Sequence, residues 1–200
     1  VQTCALPIYQ VPALAKEGLT VVVSPLIALM KDQVQALQAN GIPAAFLNST
    51  LTFTEEQAIH AQLRGGAMKL LYVSPERLLS ANFLDRVAEW NPALFAIDEA
   101  HCISSWGHAF RPEYKRLDVL KKRFPQVPMI ALTATADKAV RSDMAAHLGM
   151  RNERLFTSSF DRPNLSLAVL PGQNRWQTLQ RIMARHAGAC GIIYCNSRKG

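Results

Sequence analysis

The sequence predicts an α/β fold, a parallel sheet with helices on both faces. Three observations predict it: short β-branched or apolar runs recur along the chain, segments of helical period separate them, and several of the runs end abruptly in polar residues. Strands joined by helices of this length run parallel, and such sheets bind ligands at the carboxyl ends of their strands. Chemistry is therefore expected just after each strand.

Residues 19–24 form a β-branched apolar run ending in Ser-Pro and predict a buried strand. Leu26, Met30, Val34 and Leu37 follow at helical spacing, and Asn40-Gly41 stops that helix. Residues 44–47 predict a second strand. Thr54 and Gln57 predict a capping box for a helix carrying Ile59 and Leu63 and ending at Gly65-Gly66. Residues 68–73 predict a third strand, and Ser80 a cap for a helix with Phe83, Leu84, Val87 and Ala88 on one face. Residues 93–97 and 129–132 predict two more strands, the second followed by a helix over 137–148. Residues 160–164 break this alternation. Beyond them a strand is expected at 165–170, a helix carrying Trp176, Leu179, Ile182 and Met183, and a strand at 191–194. So few strands cannot close a core, so 165–200 is expected to be the start of a second domain.

Hydrophobic residues make up 49% of the 200 residues, which excludes an intrinsically disordered chain. No apolar run approaches the roughly 20 residues of a membrane-spanning helix, and no secretory signal is recognisable, so an intracellular protein without a membrane partner is expected. Twenty-two Lys and Arg against 15 Asp and Glu give a net charge of +7, which suits a polyanion such as nucleic acid. A mildly basic metabolic enzyme has the same balance, and Lys121-Lys122-Arg123 is the one basic triplet. Cys4, Cys102, Cys190 and Cys195 match no zinc spacing; Cys190 and Cys195 are expected to flank a buried strand as reduced thiols. Trp90 and Trp176 are expected to pack, and His60, His147 and His186 to lie at the surface or at helix ends.

Asp98-Glu99-Ala100-His101 directly follows the fourth strand. Adjacent carboxylates at a strand end suit Mg²⁺ binding by Asp98 and water activation by Glu99, the Walker B arrangement of nucleotide hydrolysis. Asp-Glu alone is common on surfaces; its place after a core strand and the following His101 point to function. Thr133-Ala134-Thr135 follows the fifth strand, with hydroxyls placed either to bond Asp98 or His101 or to form a turn capping the next helix.

The run from Ser24 to Gln33, Ser74-Pro75-Glu76-Arg77, Asp98-Glu99-Ala100-His101 and Thr133-Ala134-Thr135 occur in the order of superfamily two helicase motifs. The stretch from Cys102 to Tyr114, containing Trp106-Gly107-His108-Ala109-Phe110-Arg111, resembles the aromatic-rich loop of the RecQ family. The segment from Ser158 to Asn164 and the run Ile193-Tyr194-Cys195-Asn196-Ser197 match that family as well. The resemblance covers residues 9–200. It implies a RecA-like first domain over 9–158, an interdomain linker at 159–164 and the start of a second RecA-like domain at 165–200.

The same resemblance implies an ATP- and Mg²⁺-dependent DNA helicase. It would travel 3′ to 5′ on single-stranded DNA, open forked duplexes in recombination and repair, and reside in the bacterial cytoplasm or nucleoid. His101, Thr133 and Thr135 would couple hydrolysis to movement. Ser24, Lys31 and Arg77 would meet the DNA backbone, and Trp106, His108, Phe110 and Arg111 would sense DNA. Chemistry agrees for the loop: Trp106 and Phe110 beside Arg111 suit stacking on unpaired bases. The other reading packs both aromatics into the core at helical spacing. Where the family commonly has Asp after the loop His, this chain has Ala109, which accepts no hydrogen bond, so weaker coupling is expected.

A triphosphatase of this type carries a Gly-rich loop ending in Gly-Lys-Ser/Thr, the Walker A motif, and none occurs in this sequence. Residues 1–8 read as a translation of a common sequencing-library adaptor and are expected to be an assembly artefact on a truncated gene. The alternative is a natural chain without a phosphate loop. Zinc-binding and winged-helix segments are also absent from these residues. The chain as written is expected not to hydrolyse ATP efficiently. A translocase that does not separate strands, and a DNA-binding remnant without enzymatic activity, remain the two rival readings.

Overall fold

The strands expected up to residue 132 all form. In a computed structural model, residues 6–105, 109–158, 163–170, 172 and 174–194 are described. The strands are β1 (Leu19–Val23), β2 (Ala44–Leu47), β3 (Leu70–Val73), β4 (Pro92–Ile97) and β5 (Met129–Ala131). They pair in parallel in the order β2-β3-β1-β4-β5.

Alternation along the strands sends side chains to two cores. Val21, Val23, Leu71, Val73, Phe95 and Ile97 point into one. It is covered by α3 (Phe53–Arg64), α4 (Pro75–Leu78), α5 (Phe83–Glu89), α6 (Pro112–Lys115), α7 (Asp118–Arg123) and α8 (Lys138–His147). Val22, Leu70, Tyr72 and Ala96 point the other way, against α1 (Leu6–Ala15) and α2 (Ile27–Ala39). Gly18 enters β1 at φ +92°, where a Cβ would meet Ala93 Cβ and Asn91 O at 3.0 Å, so glycine is required there.

Several sequence expectations are corrected by the packing. The capping box of α3 is Thr52 and Glu55 rather than Thr54 and Gln57: Thr52 N donates to Glu55 Oε2 at 2.8 Å and Glu55 N to Thr52 Oγ1 at 3.3 Å. A carboxylate accepts more strongly than an amide, and the helix starts two residues earlier. Ser80 does not cap α5; its hydroxyl donates to Arg77 O at 2.7 Å, closing α4, and Asn82 takes the N-cap position of α5. Leu26, read as a core position of α2, is its exposed N-cap.

His60 is buried rather than superficial, because Ile59 and Leu63 turn its face of α3 toward the core. Its ring lies tilted against that of Trp90, 5.4 Å between centroids, and its Nε2 lies 3.2 Å from Glu56 Oε1. Trp90 is buried, as expected of a packing residue. Helix α1, which carries no polar stripe to announce it, begins inside the 1–8 segment, and residues 1–5 lie outside the described residues.

The chain divides into two units, Val1–Arg154 and Leu155–Gly200. In the second, α9 (Arg175–Arg185) forms where helical spacing placed it. The strands expected at 165–170 and 191–194 do not: both stretches are without regular structure and exposed. A strand needs a neighbour to take its backbone hydrogen bonds, and the described residues of this unit supply none. Trp176 is likewise exposed rather than packed, and Cys190 flanks no buried strand. Cys4 and Cys195 lie outside the described residues.

Candidate active site

Register places the site. Val23 pairs with Ile97 and Ile97 with Ala131, so β1, β4 and β5 end side by side. The ladder continues one step through Asp98 N to Val23 O at 2.8 Å and Leu132 N to Ile97 O at 2.9 Å. Ser24, Asp98 and Thr133 therefore emerge at the carboxyl edge of the sheet. Chain order reverses there, since β2 and β3 lie to one side of β1 and β4 and β5 to the other, which is where such sheets bind ligands.

Asp98 is bonded from several directions. Ser24 Oγ donates to its Oδ2 at 3.3 Å, Glu99 N to its Oδ1 at 3.0 Å, and the buried Tyr114 hydroxyl to its backbone carbonyl at 3.0 Å. Burial pushes the Asp98 carboxyl above its ordinary pKa, and the adjacent Glu99 charge adds to the shift. Glu99 adopts φ +48°, a left-handed conformation that a non-glycine residue holds only at a cost of about 1–3 kcal/mol. From there its Oε2 meets His101 Nδ1 at 3.2 Å. His101 sits in the 3₁₀ turn Ala100–Ile103, anchored by Ala100 N to Leu132 O at 2.9 Å. The same Nδ1 lies 2.9 Å from Thr133 Oγ1, which also accepts from Thr135 N at 3.1 Å. Of the two readings of Thr133, the bond to His101 forms; the hydroxyl also makes a local turn with Thr135, but that turn does not cap the next helix. The cap of α8 is Asp137.

Paired carboxylates at a partly buried edge, with the Asp98 pKa raised by burial and then by the Glu99 charge, fit a divalent cation. Among the described residues no cluster of three or more His, Cys, Asp or Glu suits a metal. A Mg²⁺ shared between one or two carboxylates and a phosphate needs no such cluster.

The remaining predicted residues are spread around this edge. Lys31 is exposed on α2. Ser24 is buried, with its hydroxyl on Asp98. The Arg77 guanidinium pairs with Glu56 and lies 5.3 Å from the Phe83 ring centroid. Phe110 is 39% exposed, and Lys115 Nζ stands 5.0 Å from its ring centroid. Arg111 N donates to Cys102 O at 2.9 Å. Trp106 and His108 lie outside the described residues. Sequence reasoning gave Tyr114 no role, although it ties α6 to Asp98; its place in a run ending Arg-Pro-Glu-Tyr was visible, its hydroxyl's target was not.

A parallel sheet of this order, with a carboxylate pair after one strand answered by a threonine after the next, is a RecA-like α/β arrangement. Residues 3–142 match the DEAD/DEAH box helicase family, and the chain belongs to it. Within that family the RecQ resemblance read from the motifs holds. The chain is 51% identical over 190 residues to the ATP-dependent DNA helicase RecQ of Pasteurella multocida, covering 95% of this chain and 30% of that protein. It is 44% identical over 195 residues to the RecQ helicase of Bacillus subtilis, covering 96% and 32%. The chain thus spans about a third of the length of these relatives. The helicase domain of Pyrococcus furiosus Hef shares the fold, with TM-score 0.50 and 18% identity over 72% of this chain and 30% of that one.

Proposed function

We propose that this chain contributes the hydrolytic carboxylates and part of the DNA track of an ATP-dependent DNA helicase of RecQ type. In this reading it travels 3′ to 5′ on single-stranded DNA and opens forked duplexes in recombination and repair in the cytoplasm. Residues 9–158 belong to its first motor domain, 159–164 to the linker and 165–200 to the start of the second; residues 1–8 are an assembly artefact. The observation that carries the reading is His101 Nδ1 between Glu99 Oε2 and Thr133 Oγ1.

Asp98 would hold Mg²⁺, which when bound neutralises charge on the phosphates. Ser24 and the Glu99 amide fix the two Asp98 oxygens. Glu99 orients the attacking water and accepts its proton, and His101 sets that carboxylate's direction through Oε2. Thr133 and Thr135 pass movement between the ends of β4 and β5. DNA meets Lys31, Arg77 and the segment holding Trp106, His108, Phe110 and Arg111. Tyr114 links the end of that segment to the Asp98 carbonyl.

The test is a strand-displacement assay on a forked duplex, run with phosphate release, on the protein expressed from the full native gene. The reading predicts both activities with ATP. Phosphate release without strand separation makes the protein a translocase; binding without phosphate release makes it a DNA-binding module.

A further inference from the structure

The basic triplet Lys121-Lys122-Arg123 has no part in the site at the strand ends. Arg123 pairs with Asp85. Lys121 and Lys122 line a groove of about 630 Å³ formed with the C-terminal end of α8, together with Lys115, His147 and Arg151. Four permanent cations thus face the groove, and Asp118 is the single carboxylate among its lining residues. Lys122 pairs with Asp118, but this lysine side chain is 76% exposed, and such a pair is readily exchanged for another anion. Lys121 Nζ is held to Pro125 O at 2.9 Å, which fixes its charge in place. His147 is engaged by Asp143 one turn earlier, at 3.0 Å.

The groove has a defined neighbour. Lys115, which lines it, carries its ammonium 5.0 Å from the Phe110 ring centroid. Phe110 is the exposed aromatic proposed above to stack on an unpaired base. Among the described residues no Phe, Tyr or Trp lines the groove, and its one imidazole, His147, is engaged by Asp143, so its chemistry recognises phosphate rather than bases. We propose that this groove carries the phosphodiester backbone of single-stranded DNA beyond the base at Phe110, as a second DNA contact on the first unit. The proposal rests on the DNA-motor reading and extends it.

The test measures anisotropy of a fluorescein-labelled oligothymidylate with the full-length protein at about 50–200 mM salt. Wild type is compared with Lys122→Glu/Arg151→Glu, with the milder Lys122→Gln/Arg151→Gln, and with Phe110→Ala. Each lost single-strand phosphate contact removes about 0.7 from the slope of log affinity against log salt. The double reversal is expected to lower that slope by about 1.4 and to weaken binding roughly tenfold, with the glutamine pair intermediate. Unchanged affinity and slope in both double variants, with Phe110→Ala weakened, overturn the groove and leave the motor reading standing. A wild type that neither binds the oligonucleotide nor releases phosphate faster with it overturns both.

Discussion

His101 Nδ1 lies 2.9 Å from Thr133 Oγ1, across the gap between the ends of β4 and β5. The same nitrogen is 3.2 Å from Glu99 Oε2. One imidazole therefore touches both the carboxylate proposed to handle water and the threonine of the neighbouring strand. It joins their side chains where backbone bonds from Leu132 N to Ile97 O and from Ala100 N to Leu132 O already join the two strand ends.

That contact predicts uncoupling. Interactions along such a path are worth about 0.5–2 kcal/mol, so His101→Ala or Thr133→Val should lower unwinding per ATP about 2- to 30-fold. Phosphate release should fall less. The double variant should lose less than the two single ones together, since both remove the His101–Thr133 contact. Strand displacement and phosphate release measured on one preparation check this, and additive losses would contradict it.

Asp98 is predicted to be a site where function costs stability. Burial and the Glu99 charge both disfavour its ionised form. Asp98→Asn keeps the shape and removes the charge, so the variant should melt at a higher temperature than wild type at neutral pH while losing phosphate release. Thermal melts and a phosphate assay decide it; a variant that melts lower contradicts the assignment.

His60 gives a pH dependence whose sign follows from its surroundings. Burial lowers its pKa, and Arg86 and Arg64 lower it further, against the opposing Glu56 carboxylate. The unfolded chain then takes up this proton more readily than the folded one. The stability contribution is present above the ordinary histidine pKa of about 6.5 and is lost as pH falls below it toward the depressed folded value. His60→Gln should flatten the decline in melting temperature between about pH 7 and pH 5. Parallel melting curves for variant and wild type across that range contradict it.

The first unit was legible because its signals are local. Val21-Val22-Val23 needed no knowledge of partners to read as a buried strand, and Asn40-Gly41 ended α2 where expected. The carboxylates of Asp98 and Glu99 could be placed at a strand end by position alone. What the sequence hid depends on distant residues. Tyr114 is 16 positions from the carbonyl it holds, and nothing near it names that acceptor. His60 looked superficial because the ring it packs against, Trp90, lies on another segment and adds to the burial that its place on α3 begins. The stretches 165–170 and 191–194 have strand composition, but a strand is a property of two backbones and composition describes one.

The most direct test of the central claim, that the carboxylate pair after β4 is a hydrolytic centre, is phosphate release by the full-length protein with and without single-stranded DNA, for wild type and Glu99→Gln. The account predicts DNA-stimulated release in wild type, a drop of about 100-fold or more in the variant, and DNA binding retained by both. Equal release by wild type and variant under saturating DNA would contradict it.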